Sequence, residues 1–479
     1  MASQQTICKY VQPMASSGQV YSTAKVAESA KIHKDTLLRW LRQGLVVEPN
    51  RDRRGWRVWT ENEMQTVKAF ATGPESLKSQ EAVTSPVSSH LPLIDWDFRE
   101  AKTNYLTHGL HPYPAKYIPQ IPNTIIQELS SLGDTVGDVF CGSGTTLVEG
   151  LLLRRNVVGV DANPLAGLIS KAKTTPLQPG DKESLSELID RAHRFSIDIA
   201  SDDQPSLFKA PPFVSTAPRP EDRAITFWFE PCVVEELAEI RSWCQGLPTE
   251  TAQNLALVSF SAIIVSVSLQ DSDTRYVRRQ KGIKPGDTMR RFAQVLSDNT
   301  SAVERLTDIL DPQLRCEIVI GDVLQGPNLP LLDLVVCSPP YPNAYSYHLY
   351  HMTRMLWLNM DQPAFKKREI GSHRKFSNPG KNGATIETFR SEMFDVFLWL
   401  RDIVKPNQHA CFIIGDSTIR GERFDNAAVL TGAASDAGWT PVARWQRNLK
   451  ETSKAFNPAI GKIKTEHIVV FENKGTTVQ

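Results

Sequence analysis

The chain is 479 residues long, 41% hydrophobic and 22% charged, with a formal net charge of +1. That length allows a large core and roughly two to four domains, while the balanced charge excludes a globally polycationic nucleic-acid binder and leaves any basic surface local. Seven cysteines without a C-x-x-C pair exclude a disulfide framework and a cysteine zinc site, and fit a reducing compartment.

In chain order, residues 1–72 form a small helical unit. Ser22 or Thr23 can cap a helix over 25–30, and a second helix over 34–43 stops at Gly44. Leu37, Leu38 and Leu41 share one helical face. Arg51 to Trp59 reads as a short hairpin or wing. Thr60 and Glu63 have capping-box spacing at the start of a third helix. Residues 73–92, rich in Ser, Pro and Glu, read as a linker. The pattern is α/β over 93–176, mostly helical over 177–314, and α/β again over 315–479. The apolar stretch 255–269 is broken by Ser259, Ser261, Ser266 and Ser268 and predicts a buried helix rather than a membrane span. The start of the chain shows no basic-then-apolar signal, so a soluble cytoplasmic protein of a prokaryotic cell, with no membrane partner, is expected. Strands are predicted over 135–140, 157–161, 318–322, 334–336, 410–414 and 467–471. They make one parallel sheet with helices on both faces, interrupted by a helical insertion.

Two strand ends carry the chemistry. Phe140-Cys141-Gly142-Ser143-Gly144-Thr145-Thr146 places a glycine turn between a strand and a helix. There the backbone can be approached closely and the helix amides are free. Val157 to Asp161 ends in a carboxylate about twenty residues on, where a nucleotide-binding unit takes the ribose hydroxyls. Gly321-Asp322 ends a later strand and brings a carboxylate suited to an adenine amino group. No lysine follows the glycines as in a P-loop. Ser338-Pro339-Pro340-Tyr341 follows the apolar run 331–337.

Together the two motifs resemble the cofactor and catalytic motifs of S-adenosylmethionine-dependent DNA amino-methyltransferases. The resemblance implies a Rossmann-like class I methyltransferase fold and S-adenosylmethionine as cofactor. It implies cofactor contacts for Phe140, Gly142, Ser143, Gly144, Thr145, Asp161 and Asp322. The segment from His111 to Pro119 is similar to one that lines the methionine side of the family's pocket, which implies that role for His111, Pro114 and Lys116. Methylating an aromatic amine requires acceptors aimed at the amino hydrogens. Ser338 and the Pro339 carbonyl can supply them, Pro339 and Pro340 stiffen the backbone, and Tyr341 offers a face to an extruded base. Cys337 reads as core, and no metal is expected. Ser at the first motif position is commoner in cytosine-N4 enzymes, so transfer to cytosine N4 in duplex DNA is expected. Adenine-N6 methylation, RNA guanine-N2 methylation and a non-catalytic DNA-binding cofactor sensor stay open.

The N-terminal unit resembles the winged helix-turn-helix of MerR-type regulators. That resemblance implies DNA contacts for Lys34, Asp35, Arg39, Arg53, Arg54 and Arg57. Arg278 and Arg279, within a basic stretch of the insertion, and Lys366 to Lys381 beyond the catalytic motif can track phosphates. The insertion is a candidate target-recognition region. A cognate restriction endonuclease or defence-system protein is a candidate partner, and the recognition sequence is not legible.

Overall fold

The computed structural model describes residues 20–72, 90–201, 212–449 and 465–475, apart from 33, 44–45, 47–48, 50–56, 274, 344, 379 and 381–382. The chain divides into two units, Met1–Thr84 and Ser85–Gln479.

The first unit contains strands β1 (Tyr21–Ser22) and β2 (Val58–Trp59), an antiparallel pair. Its helices are α1 (Thr23–Ser29), α2 (Lys34–Gln43) and α3 (Glu61–Thr72). Ser22 caps α1 by accepting from the Lys25 amide at 3.3 Å, so this helix starts two residues before the predicted 25. Thr60 and Glu63 close a reciprocal capping box on α3. Leu37 and Leu41 pack with Val26, Trp59, Met64 and Val67 in one small core. Arg53 and Arg54 lie outside the described residues.

The second unit begins with α4 (Gln120–Leu129), β3 (Thr135–Asp138), α5 (Thr145–Leu152), β4 (Asn156–Asp161) and α6 (Pro164–Thr174). Next come α7 (Asp181–Ser201), α8 (Arg223–Trp228), α9 (Pro231–Gln245) and α10 (Glu250–Val267). A hairpin follows, β5 (Gln270–Ser272) and β6 (Arg275–Arg278), and then α11 (Asp287–Thr307). Strands resume with β7 (Cys316–Ile320) and β8 (Leu332–Cys337). Four short helices lead on: α12 (Tyr347–Tyr350), α13 (Met352–Trp357), α14 (Gln362–Arg368) and α15 (His373–Ser377). The chain closes with α16 (Ile386–Ile403), β9 (Val404–Gly415), the hairpin β10 (Ser417–Ile419) and β11 (Glu422–Phe424), α17 (Asn426–Asp436), β12 (Trp439–Asn448) and β13 (Thr465–Asn473).

Seven strands form one sheet in the order β12-β13-β9-β8-β3-β4-β7. Its two faces are both apolar. Leu334, Val336, Cys411, Ile413, Ile468 and Val470 join one core cluster with α4. The alternate residues Val335, Cys337, Phe412, Ile414, Val469 and Phe471 join another with α16 and α17. Continuous apolar strands flanked by helices are the signature of a sheet buried on both sides, and the architecture is the expected Rossmann-like α/β type. The all-parallel expectation is corrected: β13 runs antiparallel to both β9 and β12. Strand β12 was not foreseen, because this sheet-edge strand mixes polar and apolar residues and carries a register shift at Pro441.

Helices α7 to α11 share one core cluster with α6 and with Trp357 of α13. Of the basic stretch inside this region, Arg275 and Arg278 lie on β6 and Arg290 and Arg291 on α11. Helix α10 is long and apolar enough to cross a membrane by composition, and 61% of it is buried in the fold.

Candidate active site

The chain leaves β3 for β4 on one side, while β8 lies on the other side of β3. Loops leaving the strand ends therefore diverge, and a crevice opens at the switch point. It holds about 770 Å³, part of it open to solvent.

The floor on the β3 side is the glycine turn. Gly142 and Gly144 have φ of +49° and +77°, in the left-handed region. A Cβ on Gly144 would meet Ser170 Oγ at 2.8 Å and its Cα at 3.3 Å, so both conformation and space require glycine there. The turn is tied inward by three bonds. Gly144 N donates to Cys141 O at 2.7 Å, Ser170 Oγ donates to Gly142 O at 2.9 Å, and Gly142 N donates to Asp161 Oδ2 at 2.8 Å. Asn163 N donates to the other Asp161 oxygen at 2.8 Å. Burial pushes the Asp161 carboxyl up to about 6, with these two amides pulling the other way. Asp138, beneath the turn, accepts from Thr146 Oγ1 at 2.6 Å and from Phe140 N at 3.1 Å. Its burial lifts it to about 7.

Phe140, Gly142, Ser143, Thr145, Asp161, Asp322, Pro114 and Lys116 all line the crevice. Asp322 also caps a short 3₁₀ turn by accepting from Leu324 N at 3.0 Å. The buried Ser143 hydroxyl has no partner among the described residues. An orphaned hydroxyl beside a cradle without Cβ atoms, with a carboxylate at the neighbouring strand end, fits S-adenosylmethionine. Ser143 and the turn suit its amino-acid end, and Asp161 suits its ribose.

Two predicted cofactor residues sit elsewhere. Gly144 is the N-cap of α5 and does not line the crevice. His111 is buried against α10: its Nδ1 meets Pro112 O at 2.7 Å and its Nε2 meets Ser261 Oγ at 2.9 Å. Burial and the nearby Arg354 charge hold it neutral, well below the usual histidine range. His111 therefore anchors the loop that carries Tyr113 and Lys116. Lys116 itself donates to His108 O at 3.0 Å.

On the β8 side, Ser338 and Pro340 line the crevice and Pro339 is buried behind them. Tyr341 does not line it. Its hydroxyl donates to Glu466 Oε1 at 2.9 Å, and its ring packs on the α16 core. The backbone of Gly371, at φ +69°, lies so close to the motif that a Cβ there would meet Pro340 O at 2.9 Å and Tyr341 O at 3.0 Å. Gly371 O accepts from Asn343 N at 3.1 Å.

Sequence reasoning missed Tyr113, Tyr117, Tyr347, Phe365 and Glu369, which line the crevice together with Arg368 of the basic segment beyond the catalytic motif. Tyr113 and Tyr117 lay in a segment already singled out, and their aromatic character was the available signal. Tyr347 and Glu369 carried no local signal. Glu369 is buried; it accepts from the Tyr347 amide and from His348 Nδ1, the latter at 2.5 Å.

Of the residues read as DNA-contacting, Lys34 is exposed at the start of α2. Asp35 and Arg39 lie within α2, with side chains outside the described residues. Arg57 is half-buried just before β2. Arg279 pairs with Asp271 at 3.2 Å, and Arg278 stands 5.6 Å above the Phe227 ring.

A family model described as DNA methylase matches residues 18–170. The chain is 32% identical over 175 residues to the Type II methyltransferase M.MvaI of Kocuria varians, covering 36% of each chain. It is 33% identical over 119 residues to M.MjaII of Methanocaldococcus jannaschii, covering 23% of this chain and 22% of the relative. With M.BsoBI of Geobacillus stearothermophilus it shares 23% over 335 residues, covering 62% of this chain and 61% of the relative. The matches thus span from about a fifth to three fifths of the length of these curated relatives. Over residues 18–170 the chain is thus similar to DNA methylases, and the glycine turn, the strand-end carboxylates and the Ser-Pro-Pro-Tyr loop meet around one crevice.

Proposed function

We propose that this protein methylates the exocyclic N4 amine of cytosine in duplex DNA, after extruding the base from the helix. The observation that carries this reading is that Ser338 and Pro340 line the same crevice as Gly142, Asp161 and Asp322. The cofactor supplies an electrophilic methyl group on a sulfonium. Asp161 would accept from its ribose hydroxyls, and the glycine turn would let its amino-acid end lie against the backbone. Ser338 Oγ and the Pro339 carbonyl accept the two amino hydrogens, which frees the nitrogen lone pair from the ring and aims it at the methyl group. Tyr347 and Phe365 line the crevice and offer apolar faces to the base; the Tyr341 ring is engaged with the core.

Serine at the first motif position supports cytosine over adenine. Residues 93–176 and 315–479 are read as the cofactor and catalytic halves, and 177–314 as the target-recognition region. The first unit is read as a DNA-binding helix-turn-helix of the MerR type, with a cognate endonuclease or defence protein as partner. Removing residues 1–84 would then weaken DNA affinity and spare cofactor binding; unchanged affinity and unchanged site choice would end that assignment.

The central test is methyl transfer from labelled S-adenosylmethionine to methylation-free duplex DNA and to RNA, with the modified nucleoside identified by mass spectrometry. N4-methylcytosine from the wild type, reduced about 10²–10³-fold in Ser338→Ala, is expected. N6-methyladenine would keep the chemistry and overturn the base. Label in RNA alone would overturn the substrate.

A further inference from the structure

Strand β6 differs from the other strands of the second unit: all four of its residues, Arg275, Tyr276, Val277 and Arg278, are exposed. Tyr276 is 42% and Val277 59% exposed, beside Phe227 at 52%. Single exposed apolar residues are ordinary, but consecutive exposed aromatic and β-branched residues on a strand flanked by arginines are not. The hairpin is also held firmly. Its turn residue Asp273 accepts from Arg354 Nη2 at 2.5 Å. Arg354 is fully buried on α13, and its Nε donates to Ser261 O in α10 at 3.1 Å. A buried guanidinium therefore joins the insertion's hairpin to the segment that follows the catalytic motif. The Tyr276 hydroxyl lies within electrostatic reach of Glu369 and Arg374, and Glu369 lines the crevice. Lys366, Lys367, Arg368 and Arg374 stand exposed around the same wall.

We infer that β6 is a DNA-contacting strand at the mouth of the crevice, with the Tyr276 ring filling the gap that an extruded base leaves in the duplex. This inference rests on the DNA-methylating reading above. The partner follows from complementarity. Exposed cations around an aromatic wedge suit a polyanion with stackable faces, and inserted side chains hold open a base step that is costly to unstack. Extrusion leaves a hole beside the neighbouring base pairs, and a flat ring replaces the lost stacking. Arg278, on the same strand face as Tyr276, is placed for the adjoining phosphates, while Arg275 and Arg279 share Asp271.

The test uses the full chain with methylation-free duplex DNA of mixed sequence and, in parallel, single-stranded RNA. Tyr276→p-benzoylphenylalanine should crosslink to that duplex on irradiation. Methyl transfer by Tyr276→Ala/Val277→Ala should fall about 10- to 100-fold, the worth of one stacked base, with cofactor affinity unchanged. Tyr276→Trp should keep transfer within about threefold, since it retains a ring to stack. A double variant as active as the wild type, or a crosslink to single-stranded RNA and none to the duplex, would overturn the hairpin's role while wild-type transfer to DNA left the parent reading standing. A wild type that transfers methyl to no DNA would overturn the parent reading and the hairpin's role together.

Discussion

The two walls of the crevice are built on different principles. The cofactor wall is local. Its glycine turn, Asp161 and Asn163 lie within a short stretch of chain, and Gly142 bonds a residue 19 positions away. The catalytic wall is assembled from afar. Tyr341 reaches Glu466 across 125 positions, Arg354 reaches Asp273 across 81, and Gly371 packs on the Pro-Pro backbone. Backbone conformation shapes the first wall and side chains from scattered segments hold the second. Local damage should therefore abolish cofactor binding cleanly, whereas the catalytic wall should loosen through substitutions distant in sequence.

The hardest blow to the distant wall is expected from Arg354→Ala. It removes one partner of a buried ion pair and leaves a cavity, at a cost of about 3 kcal/mol in a pair whose Asp273 side chain is 28% exposed. Denaturant unfolding measures this. A loss below about 1 kcal/mol would mean that the hairpin is held by other contacts.

On the local wall, Gly144→Val forces a β-branched residue to φ +77° against Ser170. About 2 kcal/mol of stability should go, and cofactor binding, read by calorimetry, should fall with it. Normal affinity in a folded variant would show that the turn is not the cofactor cradle.

A third experiment separates electrostatics from shape. Folding raises Asp161 from 3.8 to about 6, so the folded chain holds this proton more tightly than the unfolded chain. The sign follows: the group's contribution to stability falls as pH rises between those values and is constant above them. Cofactor affinity should move the opposite way. It should be flat above about pH 7 and weaken by up to about tenfold for each unit below 6, because only the carboxylate offers all its acceptor sites to the ribose. Asp161→Asn should bind more weakly and lose that slope. A slope that persists would assign the titration to Asp138, which burial lifts to about 7.

The smallest effect is expected from Tyr341→Phe. It deletes the bond to Glu466, which stays 3.4 Å from Arg447, and the long 3.5 Å bond that the hydroxyl accepts from Ser338 Oγ, so about 1 kcal/mol should go. Methyl transfer should stay within a few-fold of wild type if the Tyr341 hydroxyl only anchors the loop. A loss approaching that of Ser338→Ala would place Tyr341 among the groups that handle the base.

How much was legible before folding follows the same division. The sheet's apolar strands, the glycine turn, the Asp161 strand end and the Ser-Pro-Pro-Tyr loop could all be read from the residues alone. Each of these is set by side-chain period or backbone constraint within a few residues. Folding was needed to reveal that β13 runs backwards between β9 and β12, because an apolar strand reads the same in either direction. It also took His111 from the crevice to the α10 interface, turned Tyr341 into the core, and brought Tyr347 and Glu369 to the wall. Those placements depend on which distant groups share a buried space, where an unmatched polar atom costs more than any local preference returns.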